Sequence, residues 1–184
     1  ETVFPPAAMS ALLGRAVLEE TRPGDRVLDM GTGCGVNAIL AARTSADVTA
    51  VDVNPNAVAA ARSNARRHRV SERIRCVEGD LFGHVDGTFD LVVFDPPFRW
   101  FAPRDLLEVA FADEGYRTLT AFFEQVGSRL TDDGRVLLFF GTTGDVEYLE
   151  ELVVTASLTS EVLATSELVR DGTTISYFVT RLTA

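Results

Sequence analysis

Three glycines at alternate positions, Gly31-Thr32-Gly33-Cys34-Gly35, follow directly on the apolar run Val27-Leu28-Asp29-Met30. A strand that runs into such a turn leaves bare backbone that a ligand can approach closely. A dinucleotide-binding turn, GxGxxG, would put its third glycine at position 36, which is Val36 here. At the end of the next apolar run stands Asp52, where a carboxylate can accept hydrogen bonds from both hydroxyls of a ribose. Turn and acid together point to a nucleoside cofactor. A second constellation, Phe94-Asp95-Pro96-Pro97-Phe98, closes the fourth apolar run. Its chemistry suits a planar amide or aryl amine nitrogen, a poor nucleophile whose N–H hydrogens must be accepted while it is aimed at an electrophile. Asp95 can accept them, Pro96 and Pro97 fix the backbone so that a carbonyl can accept too, and Phe98 can stack on the planar group. The plainer alternative is a rigid turn after a buried strand.

Two further clusters flank these motifs. Arg99, Trp100 and Phe101, with Arg104, read as an acceptor pocket carrying an anion-binding arginine, in preference to a loop that packs its aromatics down. Arg62, Arg66, Arg67, Arg69, Arg73 and Arg75 fall within fourteen positions, mostly on one helical stretch. A solvated helix face is preferred there over a nucleic-acid patch.

The elements that must hold these residues alternate in the manner of βαβ units. Near-continuous apolar runs predict parallel strands over Arg26 to Met30, Val48 to Val53, Ile74 to Val77, Leu91 to Asp95 and Arg135 to Phe140. Helices are expected over Asn37 to Arg43, Pro55 to Arg69, Arg117 to Leu130 and Asp145 to Ala156, the second opening with Asn54 as N-cap and Pro55 at its first position. Ser160 to Val169 and Thr173 to Arg181, separated by Arg170-Asp171-Gly172, predict an antiparallel hairpin. The expectation is a doubly wound, Rossmann-like α/β sheet of seven strands, mostly parallel, closed by that C-terminal hairpin, with residues 1–184 forming one domain. Phe98 to Gly115 is the long irregular segment, a candidate lid or substrate loop with a short helix near Asp105 to Phe111.

Composition narrows the function classes. All seventeen basic residues are arginine, which removes Schiff-base chemistry, a pyridoxal-anchoring amine and a P-loop lysine. The net charge of −10 argues against sequence-independent affinity for nucleic acid or anionic membranes. Cys34 and Cys76 lack metal-ligand or disulfide spacing, and His68 and His84 lie in separate segments, so no metal is expected. Neither a long apolar run nor a signal-like start is present, which gives a cytoplasmic expectation.

Asp29-Met30-Gly31-Thr32-Gly33-Cys34-Gly35 resembles the first motif of the class I S-adenosylmethionine-dependent methyltransferases, an acid followed by GxGxG. The resemblance implies that Asp29, Gly31, Thr32, Gly33 and Gly35 serve the methionine part of the cofactor. It likewise implies that Asp52, with Val53 beside it, holds the ribose, and that Asp80, with Leu81, meets the adenine. The cofactor would be S-adenosylmethionine and its product S-adenosylhomocysteine. Asp95-Pro96-Pro97-Phe98 resembles the Asp/Asn-Pro-Pro-aromatic motif of enzymes that methylate planar nitrogen, in adenine or in the glutamine amide of release factors. Val3-Phe4-Pro5-Pro6 before an amphipathic helix, and Asp113-Glu114-Gly115-Tyr116-Arg117 before another, are similar to the release-factor glutamine methyltransferase catalytic domain. The chain departs from that family at Asp95 and Phe98, where Asn and Tyr are usual, and these 184 residues hold no counterpart of its N-terminal helical domain. The implied activity is methyl transfer by direct displacement to a planar nitrogen of a protein amide or a small-molecule amine. The alternatives are methylation of an adenine or guanine in DNA or RNA, and a non-catalytic cofactor-binding or interaction module. That last reading gives no reason for Asp-Pro-Pro-Phe at a strand end.

Overall fold

The computed structural model describes residues 3, 10–100, 108 and 112–184. Helix α1, Ser10–Glu20, carries Leu12, Leu13, Ala16 and Val17 on one stripe, and all four are buried. Then follow β1 (Arg26–Met30), α2 (Val36–Ala41), β2 (Asp47–Asp52), α3 (Pro55–Arg67), β3 (Ile74–Glu78), β4 (Phe89–Phe94), α4 (Arg117–Val126), β5 (Leu130–Gly141), α5 (Val146–Thr155), β6 (Thr159–Arg170) and β7 (Thr173–Thr183).

The seven strands form one sheet in the order β3-β2-β1-β4-β5-β7-β6. Strands β1 to β5 are parallel, and β7 lies antiparallel between β5 and β6. Alternation along the central strands sends side chains into two cores. Val27, Leu91 and Val93 join the α1 and α2 side, whereas Leu28, Met30, Val92 and Phe94 join Leu119 and Phe122 of α4 and Leu149 of α5. Both faces are thus covered, which is why these strands read as continuous apolar runs.

Several boundaries move from the sequence expectation. Helix α3 stops at Arg67 because Arg69 turns left-handed at φ 59°. Helix α4 stops at Val126, a single 3₁₀ turn follows at Gly127–Arg129, and β5 starts at Leu130, with an irregularity in its pairing to β4 between Phe89 and Leu91. The Asp-Gly hairpin stands as expected, with φ 51° at Asp171 and 75° at Gly172. At the amino end of the sheet, buried Arg135 of β5 donates to the Glu20 carbonyl and to Asp25 Oδ2 at 2.7 Å, fastening the end of α1 to the sheet. The expected helix near Asp105 to Phe111 lies outside the described residues, Glu108 apart. Among the described residues, no helix is long and apolar enough to cross a membrane.

Candidate active site

Strand order reverses between β1 and β4, and in parallel α/β sheets that reversal opens a crevice at the carboxyl ends of the strands. A cavity of about 370 Å³ occupies this place. Its walls come from Met30 and Gly31 at the end of β1, Val51, Asp52, Val53 and Asn54 at the end of β2, and Gly79, Asp80 and Leu81 after β3. Phe94, Asp95 and Pro97 at the end of β4, and Ala112, Asp113, Glu114, Arg117 and Thr118 around the start of α4, complete them.

The glycine turn is built from below. Asp29 is buried in β1, and its Oδ2 accepts from Thr32 Oγ1 at 2.6 Å and from the Ala38 backbone N–H at 2.9 Å. It therefore ties the turn to the first turn of α2 and does not line the cavity. All three glycines have positive φ: 65° at Gly31, 54° at Gly33 and 86° at Gly35. Their roles differ. A Cβ on Gly35 would lie 3.0 Å from the Cα of Ala61, so this glycine lets the turn approach α3. A Cβ on Gly33 would meet no protein atom within 4 Å, so bare space lies over the turn at that point.

Asp52 closes the turn from the neighbouring strand. Its Oδ2 accepts from the Gly33 N–H at 2.8 Å and its Oδ1 from the Asn54 N–H at 2.9 Å. Asn54 in turn caps α3 by accepting from Asn56 N–H, with Pro55 at the first helical position. Burial raises the pKa of Asp52 and the two backbone bonds oppose that rise. A carboxylate clamped at both oxygens keeps lone pairs free for vicinal hydroxyls. Glycine backbone, clamped acid and the apolar Val53 and Leu81 walls are a donor set that fits a nucleoside with an amino-acid tail.

Asp95 lines the same cavity from the end of β4. It is half-buried, and among the described residues it has neither a hydrogen bond nor an ion pair. Burial, and after it the charge of Asp29, raises its pKa to about 7. Asp29 is likewise raised to about 7, mainly by burial and further by Asp52, against the pull of its bonds to Thr32 and Ala38. An acid held at such a pKa beside Pro97 and the Phe94 ring can accept N–H groups or take up a proton.

Phe98 departs from expectation. Its ring packs against Phe139 and Phe140, with centroids 6.1 and 5.0 Å away, and does not line the cavity. The apolar wall of β5 outcompetes a free stacking position. Arg99 and Trp100 also lie off the cavity wall, both exposed, Trp100 at 66%. Phe101 and Arg104 lie outside the described residues. Asp113, Glu114, Arg117 and Thr118, to which the sequence motifs give no site role, form the wall at the start of α4. Asp113 is buried and caps α4, accepting from Thr118 and Leu119 N–H at 3.1 and 3.0 Å, and an Asp just ahead of an apolar-periodic run was the available signal. In the arginine cluster, Arg62 donates to the Cys76 carbonyl and Arg73 to that of Ala42, so part of it serves the fold. No group of three or more metal-ligating side chains is assembled among the described residues.

A family model described as methyltransferase small domain matches residues 8–160. The chain belongs to the methyltransferase small-domain family. Relatives within reach of it include a candidate protein N5-glutamine methyltransferase of Methanocaldococcus jannaschii, 32% identical over 158 residues that cover 82% of this chain and 78% of that protein. A release factor glutamine methyltransferase of Haemophilus influenzae is 32% identical over 146 residues, 67% of this chain and 49% of the relative. A ribosomal protein L11 methyltransferase of Pelotomaculum thermopropionicum is 44% identical over 87 residues, 47% of this chain and 28% of the relative. The chain thus spans about a quarter of the length of the L11 methyltransferases it matches and about half that of the release factor enzyme. Among solved structures, the ribosomal protein L11 methylase of Lactobacillus delbrueckii subsp. bulgaricus shares the fold, with a TM-score of 0.65 and 23% identity over 97% of this chain and 81% of that one.

Proposed function

We propose that this chain is an S-adenosylmethionine-dependent N-methyltransferase acting on the side-chain amide of glutamine in a protein. The observation that carries the proposal is the unpartnered Asp95 carboxyl, which shares one cavity with the clamped Asp52. In this reading Asp52 receives the ribose hydroxyls, Asp80 and Leu81 flank the adenine, and the bare backbone of Gly31 and Gly33 accommodates the methionine tail. Asp29, Thr32 and Gly35 shape that turn from beneath. The cofactor supplies a methyl group made electrophilic by its sulfonium.

Asp95 accepts the amide N–H groups and so turns the nitrogen lone pair towards the methyl. Positive charge that develops on nitrogen in the transition state is stabilised by the same carboxyl. A pKa of about 7 lets that group also take the proton the nitrogen must shed. Pro96 and Pro97 restrict the backbone on which Asp95 rides. The choice of a protein amide over other planar amines draws its support from relatives named for glutamine methylation of release factors and of ribosomal protein uL3.

The test is incubation of the protein with cell extract and donor labelled in the methyl group, followed by separation of protein, nucleic acid and small molecules. Label is expected in the protein fraction. Label in nucleic acid alone overturns the acceptor, and label nowhere overturns the activity.

A further inference from the structure

Tyr116 occupies a place that packing alone does not demand. Its backbone is left-handed, φ 51° and ψ 34°, a conformation bulky side chains avoid, and its side chain is 6% exposed. The phenol stands between two loops at the carboxyl edge of the sheet. Asp145 N–H donates to Tyr116 Oη at 2.8 Å, and Tyr116 Oη donates to the Phe98 carbonyl at 3.3 Å. The direction of this relay is fixed, because an amide N–H only donates and a carbonyl only accepts. The single phenol proton is therefore committed to Phe98.

Around it, the neighbouring carbonyl of Arg99 accepts from Asp113 N–H at 2.9 Å, so consecutive carbonyls after the Asp-Pro-Pro motif are held by the segment that leads into α4. Tyr116 is itself fastened on both sides. Thr120 Oγ1 lies 2.7 Å from the Tyr116 carbonyl and 2.8 Å from Tyr148 Oη, and the Tyr148 ring is 5.5 Å from that of Tyr116. Gly144 abuts the same carbonyl of Phe98, where a Cβ would come within 2.9 Å of the oxygen.

Pro96 and Pro97, each with φ fixed by its ring, join Phe98 to Asp95 as a short stiff lever. A shift at the Phe98 carbonyl is therefore transmitted to the carboxyl in the cavity. We infer that Tyr116 is a positioning residue: its phenol hydroxyl sets the Asp95-Pro96-Pro97-Phe98 loop against α5 and so fixes where the Asp95 carboxyl meets the acceptor nitrogen. This rests on the methyl-transfer reading above, since it assigns Asp95 its work.

The test is Tyr116→Phe, which keeps the ring on Tyr148 and removes only the hydroxyl. Trp100, the chain's one tryptophan, sits two residues beyond Phe98 and reports on the loop without any need for turnover. The variant is expected to melt within a few degrees of wild type and to bind S-adenosylhomocysteine within about twofold, which verifies its fold. Its kcat for the glutamine acceptor should fall about 10- to 100-fold with the acceptor KM little changed, as for misplacement of a group that acts in the transition state. The fluorescence anisotropy of Trp100 should fall as the loop loosens. A variant with kcat within twofold of wild type, or with unaltered Trp100 anisotropy, overturns the inference. If wild type itself transfers no methyl group, the activity reading fails, and the anisotropy alone decides whether the hydroxyl holds the loop.

Discussion

The backbone N–H of Gly33 donates to Oδ2 of Asp52 at 2.8 Å, joining the turn after β1 to the end of β2 across the parallel pair. This bond fixes Asp52, which lines the cavity, relative to the glycine turn.

Asp52→Ala should therefore lower S-adenosylhomocysteine affinity by about 1.5 to 3 kcal/mol, roughly 10- to 150-fold, the scale for a lost charged acceptor. Isothermal titration calorimetry measures it. Nicotinamide dinucleotides should give no heat with either protein, and equal affinity of wild type and variant for S-adenosylhomocysteine would mean that the carboxylate does not meet the ribose.

The glycines separate by role. Gly35→Ala puts a methyl 3.0 Å from the Ala61 backbone at a φ of 86°, so strain and crowding should cost about 2 to 3 kcal/mol of stability. Differential scanning calorimetry should show Tm lowered by about 5 to 10 °C. Gly33→Ala, with open space above it, should change Tm less and weaken cofactor binding more. The reverse ordering would mean that the space above Gly33 is not the ligand's.

With Asp95 meeting the acceptor nitrogen as proposed, its effect is confined to the transition state, so Asp95→Ala should lower kcat by about 10² to 10⁴ while cofactor affinity moves less than about tenfold. Asp95→Asn should be milder, since the amide oxygen still accepts one hydrogen bond. In wild type, kcat/KM should fall as pH drops through about 7, where the carboxyl takes up its proton. Because Asp29 titrates beside it, the apparent value belongs to the pair. A pH limb that survives in Asp95→Asn would assign it to another group.

Stability should show the opposite side of the same group. Native Asp95 holds its proton up to about 7, whereas the unfolded chain releases it near the ordinary value of 3.8. Between those values the native state binds more protons, so this group lowers stability as pH rises from about 4 to about 7, and its cost is constant above that. Asp95→Asn should therefore melt several degrees above wild type at pH 8, with the difference shrinking towards pH 4. A variant less stable than wild type at pH 8 would show that the carboxyl is not destabilised by its burial.

Much of the fold could be read because local chemistry dictated it. Glycine spacing, the Asn54-Pro55 helix start and the Asp171-Gly172 turn are backbone requirements written in residue type, and each element stands where those residues put it. The start of β5 could not be read: the apolar run opens only at Arg135, yet Leu130 already pairs with Phe89 across a register shift. The cavity lining was legible where one segment supplies it, as at Gly31, Asp52 and Asp95. The wall from Asp113 to Thr118 and the inward turn of Phe98 depend on what β5 and α4 present in space, which no local pattern encodes. The raised pKa of Asp95 has the same origin, since burial is a property of the assembled sheet.

Tandem mass spectrometry of the methylated acceptor, made with donor carrying a deuterated methyl group and compared between wild type and Asp95→Ala, tests both the acceptor atom and the role of Asp95. One labelled methyl is expected on a glutamine side-chain nitrogen, formed about 10² to 10⁴ times more slowly by the variant. A methyl on oxygen, carbon or a nucleic-acid base, or equal rates for the two proteins, would contradict this expectation.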